Sequence, residues 1–145
     1  MIKHLLLSTL LLVSGMALAT DADDLLGKWE TKKGDTMEIF KCDTHYCARI
    51  VELVEKVYEA GDDMAGKPKV DRENPDDAKK DVPLIGLQFM GGFSFDGKIW
   101  SGGTIYDPEN GKTYKCKITM VNKGKLKVRG YIGVPMLGRT EIWTR

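Results

Sequence analysis

"WSGGTIYDPENGKTYKCKITMVNKGKLKVRGYIG", residues 100–133, holds two turn signals between runs of alternating apolar and polar residues. Its later turn, "MVNKGKL", suggests a three-residue loop of Asn122, Lys123 and Gly124, with Gly124 in the left-handed region. Val121 then faces Lys125, Met120 faces Leu126, Ile118 faces Val128, Cys116 faces Gly130 and Tyr114 faces Ile132. The apolar members of both strands fall on one face. Lys115, Lys117, Lys127 and Arg129 fall on the other. Turn chemistry and side-chain alternation therefore specify the same register, and a slip of one residue would invert both strands.

The earlier turn, "YDPENGKTY", carries Pro108 at a position that favours its fixed φ and Gly111 where positive φ is needed. A four-residue loop pairs Asp107 with Lys112, Ile105 with Tyr114, Gly103 with Cys116, Ser101 with Ile118 and Ile99 with Met120. The isoleucines land inside and Trp100 and Tyr106 point outward. A slip of one residue would bring Trp100, Gly102 and Thr104 inside instead. In either register a glycine lies beside Cys116, so a row of small residues, Gly103 (or Gly102), Cys116 and Gly130, crosses three strands. Two readings of that row stand: glycines that let strands bend to close a small barrel, and a level left open as a cavity.

Working outward, the chain shows short β-rich runs broken by Gly, Asn, Asp and Pro, with no helical periodicity of useful length. Eight strands are predicted, over 27–31, 36–41, 46–53, 85–90, 98–106, 112–120, 125–132 and 139–144. Eight antiparallel strands in sequential order can close on themselves and abolish their edges. The fold class is therefore all-β, a small up-and-down antiparallel barrel. "GGFSFDGK" reads as a turn. Residues 54–83 are charged and too long for a tight turn. They carry a predicted short helix at "NPDDAKKD", capped by Asn74 with Pro75 in its first turn. This segment is either a solvated loop or a flap over a barrel mouth.

The amino terminus is of another kind. Lys3 and His4 precede an apolar run from Leu5 to Val13, and Ala17-Leu18-Ala19 is a small-x-small cleavage pattern. Residues 1–19 are expected to be a signal peptide and residues 20–145 a single domain. The apolar run is shorter than the ~20 residues a spanning helix requires, and no membrane anchor is expected. Cleavage removes one of 22 basic residues and none of 21 acidic ones, so the remainder has no net charge. Interspersed charges summing to zero give no electrostatic case for nucleic acid or an anionic membrane.

Export to the periplasm or beyond means an oxidising compartment, in which Cys42 and Cys47 of "CDTHYC" are expected to bridge across a hairpin. Cys116 is left as a small buried apolar residue on a strand, or as part of a cavity wall. His45 is the one histidine beyond residue 19, which excludes a site built from two histidines. A metal held by Cys42, His45 and Cys47 would need free thiols, and no metal or other cofactor is expected. No nucleophile elbow, phosphate loop or definable carboxylate pair is present. The residues point away from an enzyme.

"DLLGKWETKKG" opens the first strand. Gly27 and Trp29 share one strand face, where tryptophan can plug a narrow barrel end and an arginine of the last strand, "GRTEIWTR", can cover its ring. Arg139 is expected to close the barrel in this way, with Arg145 as the other arginine on offer. Gly-x-Trp with a late arginine resembles the lipocalin and fatty-acid-binding superfamily. Taken in order, "NPD", "PLIGLQFMGGF", "WSGGTIYDPENGKTYKCKI", "LKVRGYIG" and "GRTEIWTR" are similar to an uncharacterised bacterial family of exported, lipocalin-like proteins. That resemblance implies a periplasmic or secreted barrel and brings no catalytic residues.

The expected function is a carrier or sensor of a small, largely apolar or amphipathic molecule. Its binding wall would comprise Ile99, Gly103, Ile105, Tyr114, Cys116, Ile118, Val128 and Gly130, with the Tyr114 hydroxyl orienting a polar head group and Phe89 and Phe93 nearby. The competing expectation is a cell-envelope interaction module, an inhibitor or assembly factor, with a solid barrel. Outward aromatics would then be covered by the long loop or by a second copy in a homodimer.

Overall fold

The computed structural model describes residue 15 and residues 19–145. The expected signal peptide lies almost wholly outside the described residues. Eight strands alternate inward and outward side chains: β1 (Gly27–Glu30), β2 (Thr36–Cys42), β3 (His45–Glu52), β4 (Gln88–Phe95), β5 (Ile99–Asp107), β6 (Lys112–Asn122), β7 (Lys125–Tyr131) and β8 (Gly138–Thr144). Each pairs antiparallel with the next, and β1 meets β8 at Glu30 and Thr144, closing the barrel. Full closure leaves no exposed sheet edge to template aggregation. Seven of the eight strands lie within a few residues of their predicted positions. β4 is displaced, because "GGFSF" continues a strand and only Asp96-Gly97-Lys98 turns. Asp96 caps that turn by accepting from the amides of Lys98 (2.8 Å) and Ile99 (2.9 Å).

The registers divide instructively. On β6 and β7, Cys116 pairs with Gly130, Ile118 with Val128 and Met120 with Leu126, as the alternation requires. The turn itself is tighter than expected. Asn122 pairs with Lys125, Gly124 has no positive φ, and the Asn122 side chain accepts from the Gly124 amide at 2.9 Å. Strand β7 ends at Tyr131, so Ile132 does not reach Tyr114. On β5 and β6, Asp107–Lys112, Ile105–Tyr114 and Gly103–Cys116 form as expected. A β-bulge then adds one residue to β5, with Gly102 at φ 79°, and Trp100 pairs with Ile118. Both candidate registers are thus used in one hairpin. The bulge turns Trp100 inward, fully buried, and sends Ile99 to the outward face beside Thr119. The expectation that Trp100 faces out and Ile99 lines the interior is corrected accordingly.

One end of the barrel is packed solid. Leu25, Trp29, Phe93, Trp100, Cys116, Ile118 and Leu126 are almost fully buried there. The segment preceding β1 crosses this end. Leu25 O accepts from the Trp29 indole (2.8 Å) and Ala22 O accepts from that of Trp100 (3.0 Å). Tyr46 donates to Asp23 at 2.6 Å, and Lys123 pairs with Asp24. The Arg145 guanidinium stacks 4.0 Å from the Trp29 ring and donates to the carbonyls of Asp24, Leu26 and Lys123. Trp29 thus plugs the barrel. The arginine over it is Arg145, and Arg139, expected in that role, lies towards the opposite end, paired with Gly130. The Cys42–Cys47 disulfide clips the β2–β3 hairpin at the packed end.

Candidate functional site

The opposite end is hollow. In an up-and-down barrel β1, β3, β5 and β7 all finish at this end, so the 53–87 connection, the 107–112 turn and the β7–β8 connection gather round it. A cavity of about 990 Å³ opens here. Its floor is apolar: Met37, Ile50, Phe89, Ile105, Val128 and Trp143. Phe89 and Trp143 pack with ring centroids 6.2 Å apart. The inward positions of β8 run down the wall as Arg139, Glu141 and Trp143. The period-2 pattern of "RTEIW" carries that alternation, but sequence alone does not show which face of β8 meets a cavity. Among the described residues, the Trp143 indole nitrogen has no hydrogen-bond acceptor.

Of the residues expected to form the wall, Ile105, Tyr114, Val128 and Gly130 line this cavity. Ile99, Gly103, Cys116 and Ile118 do not. A Cβ added to Gly103 would lie 2.5 Å from the Phe93 ring and 2.6 Å from Gly91 O, so this glycine makes room for Phe93. Cys116 and Ile118 belong to the packed half. Burial pushes the Cys116 thiol up to about 12, which leaves it a thiol rather than a reactive thiolate at neutral pH. The row of small residues therefore divides: Gly103 is occupied by an aromatic ring, whereas Gly130 borders open space. Tyr114 is half-buried, its hydroxyl accepting from the Asn110 side-chain amide at 2.9 Å.

The long connection forms a rim over this end. Tyr58, Asp62, Lys69, Val70, Arg72 and Glu73 all line the cavity, giving this segment the position of a flap. The predicted helix is reduced to a short 3-10 turn, Asp77–Lys79, and isolated β-bridges join Val57 to Pro68 and Val70 to Pro83. Asp76 rather than Asn74 caps the turn, while Asn74 accepts from the Asp76 amide at 2.9 Å. The segment is braced internally: Tyr58 donates to Val70 O, and Arg72 lies 4.2 Å from the Tyr58 ring. Paired donation from Arg72, reinforced by the Met64 amide, holds the Asp62 carboxyl at about 2. Lys69 and Lys33 both meet Glu55, lowering its pKa.

One buried carboxylate joins the rim to the barrel. Asp71, 1% exposed, accepts from the Tyr106 hydroxyl at 2.6 Å and from the Asn74 amide at 2.7 Å. Burial, then this bond to Asp71, raises the Tyr106 pKa. Tyr106, expected to face outward, is thus covered by the loop. At the 107–112 turn, a Cβ on Gly111 would meet Glu73 O, so the turn and the rim touch backbone to backbone.

At the packed end His45 is exposed, and both neighbouring cysteines are consumed by the disulfide. The thiol ligands that a Cys-His-Cys metal site would need are therefore not available. Among the described residues no helix is long and apolar enough to cross a membrane.

A closed eight-stranded antiparallel barrel, plugged by tryptophan at one end and hollow at the other, is a lipocalin-like fold. A structure titled "Protein HP1028 from the human pathogen Helicobacter pylori belongs to the lipocalin family" superposes with a TM-score of 0.71. The match covers 83% of this chain and 82% of that one, at 23% identity. The chain belongs to the family described as uncharacterised proteins conserved in bacteria, DUF2147, whose model matches residues 27–145. No curated protein matches it.

Proposed function

We propose that this chain is an exported, non-enzymatic binding protein, a carrier or sensor that holds a small, largely apolar or amphipathic molecule in the hollow end of its barrel. In this reading residues 1–19 direct export and residues 20–145 are the working domain. The observation that carries the reading is the cavity of about 990 Å³, with an apolar floor beneath a polar rim. This volume is in the range of small-molecule sites. Apolar floor residues would drive binding by burial, at roughly 25 cal/mol per Å². Tyr114 and the charged rim would hold the polar end of the molecule. The disulfide supports an oxidising destination. A hollow half-barrel does not suit the solid interior that the interaction-module reading requires.

Native mass spectrometry of protein purified from its own host tests the proposal. An added small mass is expected, and it should be lost in Gly130→Leu, whose new side chain would project between Ile105 and Tyr114. A clean apo mass, together with failure to bind an apolar fluorescent probe, would overturn it.

A further inference from the structure

The outward face of β6 and β7 is a one-sign surface. Lys115, Lys117, Lys125, Lys127 and Arg129 all project from it, because their neighbours Cys116, Ile118, Leu126 and Val128 point inward. Their cross-strand partners on β5 and β8 are Thr104 for Lys115, Thr144 for Lys125, Ile142 for Lys127 and Thr140 for Arg129, none of them a carboxylate, while Glu141 lines the cavity on the inward face. Lys117 stands directly opposite Arg129. Like charges in that relation destabilise a sheet. Among the described residues none of the five is in an ion pair, whereas eight other pairs form elsewhere. The chain's near-neutral sum of +1 conceals this segregation.

The top of the same face carries an apolar knuckle. Ile132, Val134, Met136 and Leu137 are 64%, 52%, 88% and 76% exposed, and three of these are the most exposed large apolar side chains described. The knuckle is ordered. Pro135–Leu137 forms a 3-10 turn, and Arg129 donates from Nε to Pro135 O at 2.7 Å and from Nη1 to Thr140 at 2.8 Å. It follows directly on Gly130 and precedes Arg139, both of which line the cavity.

We propose that this face docks on an anionic phospholipid surface. The lysines would meet lipid headgroups while Met136 and Leu137 enter the interfacial region, bringing the cavity mouth to the bilayer. Lysines beside an exposed apolar cluster match the two attractions such a surface offers. An acidic soluble partner would use the charge and leave the knuckle in water. The inference does not depend on the identity, or the existence, of a cavity ligand.

Vesicle co-sedimentation of the protein as exported tests it. One set of vesicles is phosphatidylcholine alone and the other contains about a quarter phosphatidylglycerol. Binding is expected only to the second and should weaken with added salt. Lys115→Gln with Lys127→Gln should weaken it about thirty-fold, about five-fold for each charge removed. Met136→Ser with Leu137→Ser should weaken it by about ten-fold or more, from lost apolar burial. Both pairs are at exposed positions, and circular dichroism would confirm their folds. Failure to sediment with either vesicle, equal binding to both, or indifference to either pair of changes would overturn the proposal. A solution dimer that the Met136/Leu137 changes dissociate would do the same.

Discussion

Replacing Arg145 by alanine should loosen the packed end, and replacing Arg139 should not. The Arg145 guanidinium lies 4.0 Å from the Trp29 ring, and its three nitrogens donate to Asp24 O (2.8 Å), Leu26 O (2.9 Å) and Lys123 O (2.9 Å). A stacked cation contributes about 0.5–1 kcal/mol at exposed sites. A hydrogen bond from a charged donor adds about 1.5–3 kcal/mol when well shielded. Arg145 is exposed and water can replace it at the carbonyls. We therefore discount the three bonds together to about 1–2 kcal/mol. The expected loss is about 2 kcal/mol, or roughly 5–10 °C in Tm for a domain of this size. Lysine at 145 should recover less than half of it, since an ammonium cannot both stack flat and span three carbonyls. Arg139→Ala, which removes no ion pair or hydrogen bond among the described residues, should cost no more than about 0.5 kcal/mol. Urea unfolding followed by tryptophan fluorescence measures all three variants. Equal losses at 145 and 139, or a larger one at 139, would refute the assignment of Arg145 as the closing residue.

Four further outcomes follow from the interior and the rim. Gly103→Ala should destabilise the barrel by about 1–3 kcal/mol through overpacking, because its Cβ would sit 2.5 Å from Phe93 and 2.6 Å from backbone. Gly130→Ala, whose nearest neighbour is Ile105 at 3.3 Å, should cost under about 1 kcal/mol by the same unfolding assay. In thiol titration without reductant the native protein should show no reactive thiol. Unfolding should release one, Cys116, and adding reductant should bring the total to the three cysteines of the chain. The Asp62 carboxyl, held at about 2 in the folded chain against an ordinary 3.8, stabilises the rim above pH 3.8 and loses that contribution as pH falls through about 2. NMR should show its carboxyl carbon titrating near 2, and in Arg72→Gln higher, towards the ordinary value, with the Met64 amide still lowering it.

The barrel was legible because its turns and its alternation agree. Asp-Pro-Glu-Asn-Gly fixes one loop length, with Asp107 opposite Lys112; the Asn-Lys-Gly turn is tighter than its signal, and an irregularity between Met120 and Asn122 restores the register that the alternation demands. The bulge was not legible, because Gly102 and Gly103 are adjacent and either can take positive φ. Only the need to seat Phe93 against Gly103 and Trp100 against Ile118 decides between them. The error over the closing arginine was avoidable. With eight up-and-down strands, the start of β1 and the end of β8 share one end of the barrel, which places Arg145 near Trp29 and Arg139 away from it. The cavity was half visible, since Ile105, Tyr114, Val128 and Gly130 follow from register alone. Phe89 was named without a register. Met37, Ile50 and Trp143 come from strands that lack an informative neighbouring turn or that close the sheet, and their depth depends on tertiary packing.

The division of the barrel into a filled half and a hollow half has an energetic consequence. An aromatic side chain buries about 150–250 Å², so each buried tryptophan contributes up to about 4–6 kcal/mol gross. Trp29 and Trp100 lie in the packed half, where each also has an acceptor for its indole nitrogen. Trp143 shares their burial but has no acceptor among the described residues, and it borders the cavity. Stability is thereby concentrated where Leu25, Arg145 and the Cys42–Cys47 clip seal the end. At the other end hydrogen bonds to Asp71 and ion pairs to Asp62 and Glu55 hold the rim in place without filling the space beneath it. Local opening follows the elements with fewest buried apolar contacts, so the rim should open before the barrel does. Tyr106, as the barrel's donor to Asp71, and Lys33 and Asp35, which hold Glu55 and the Val54 amide, are the contacts whose loss would loosen the rim and leave the sealed end intact.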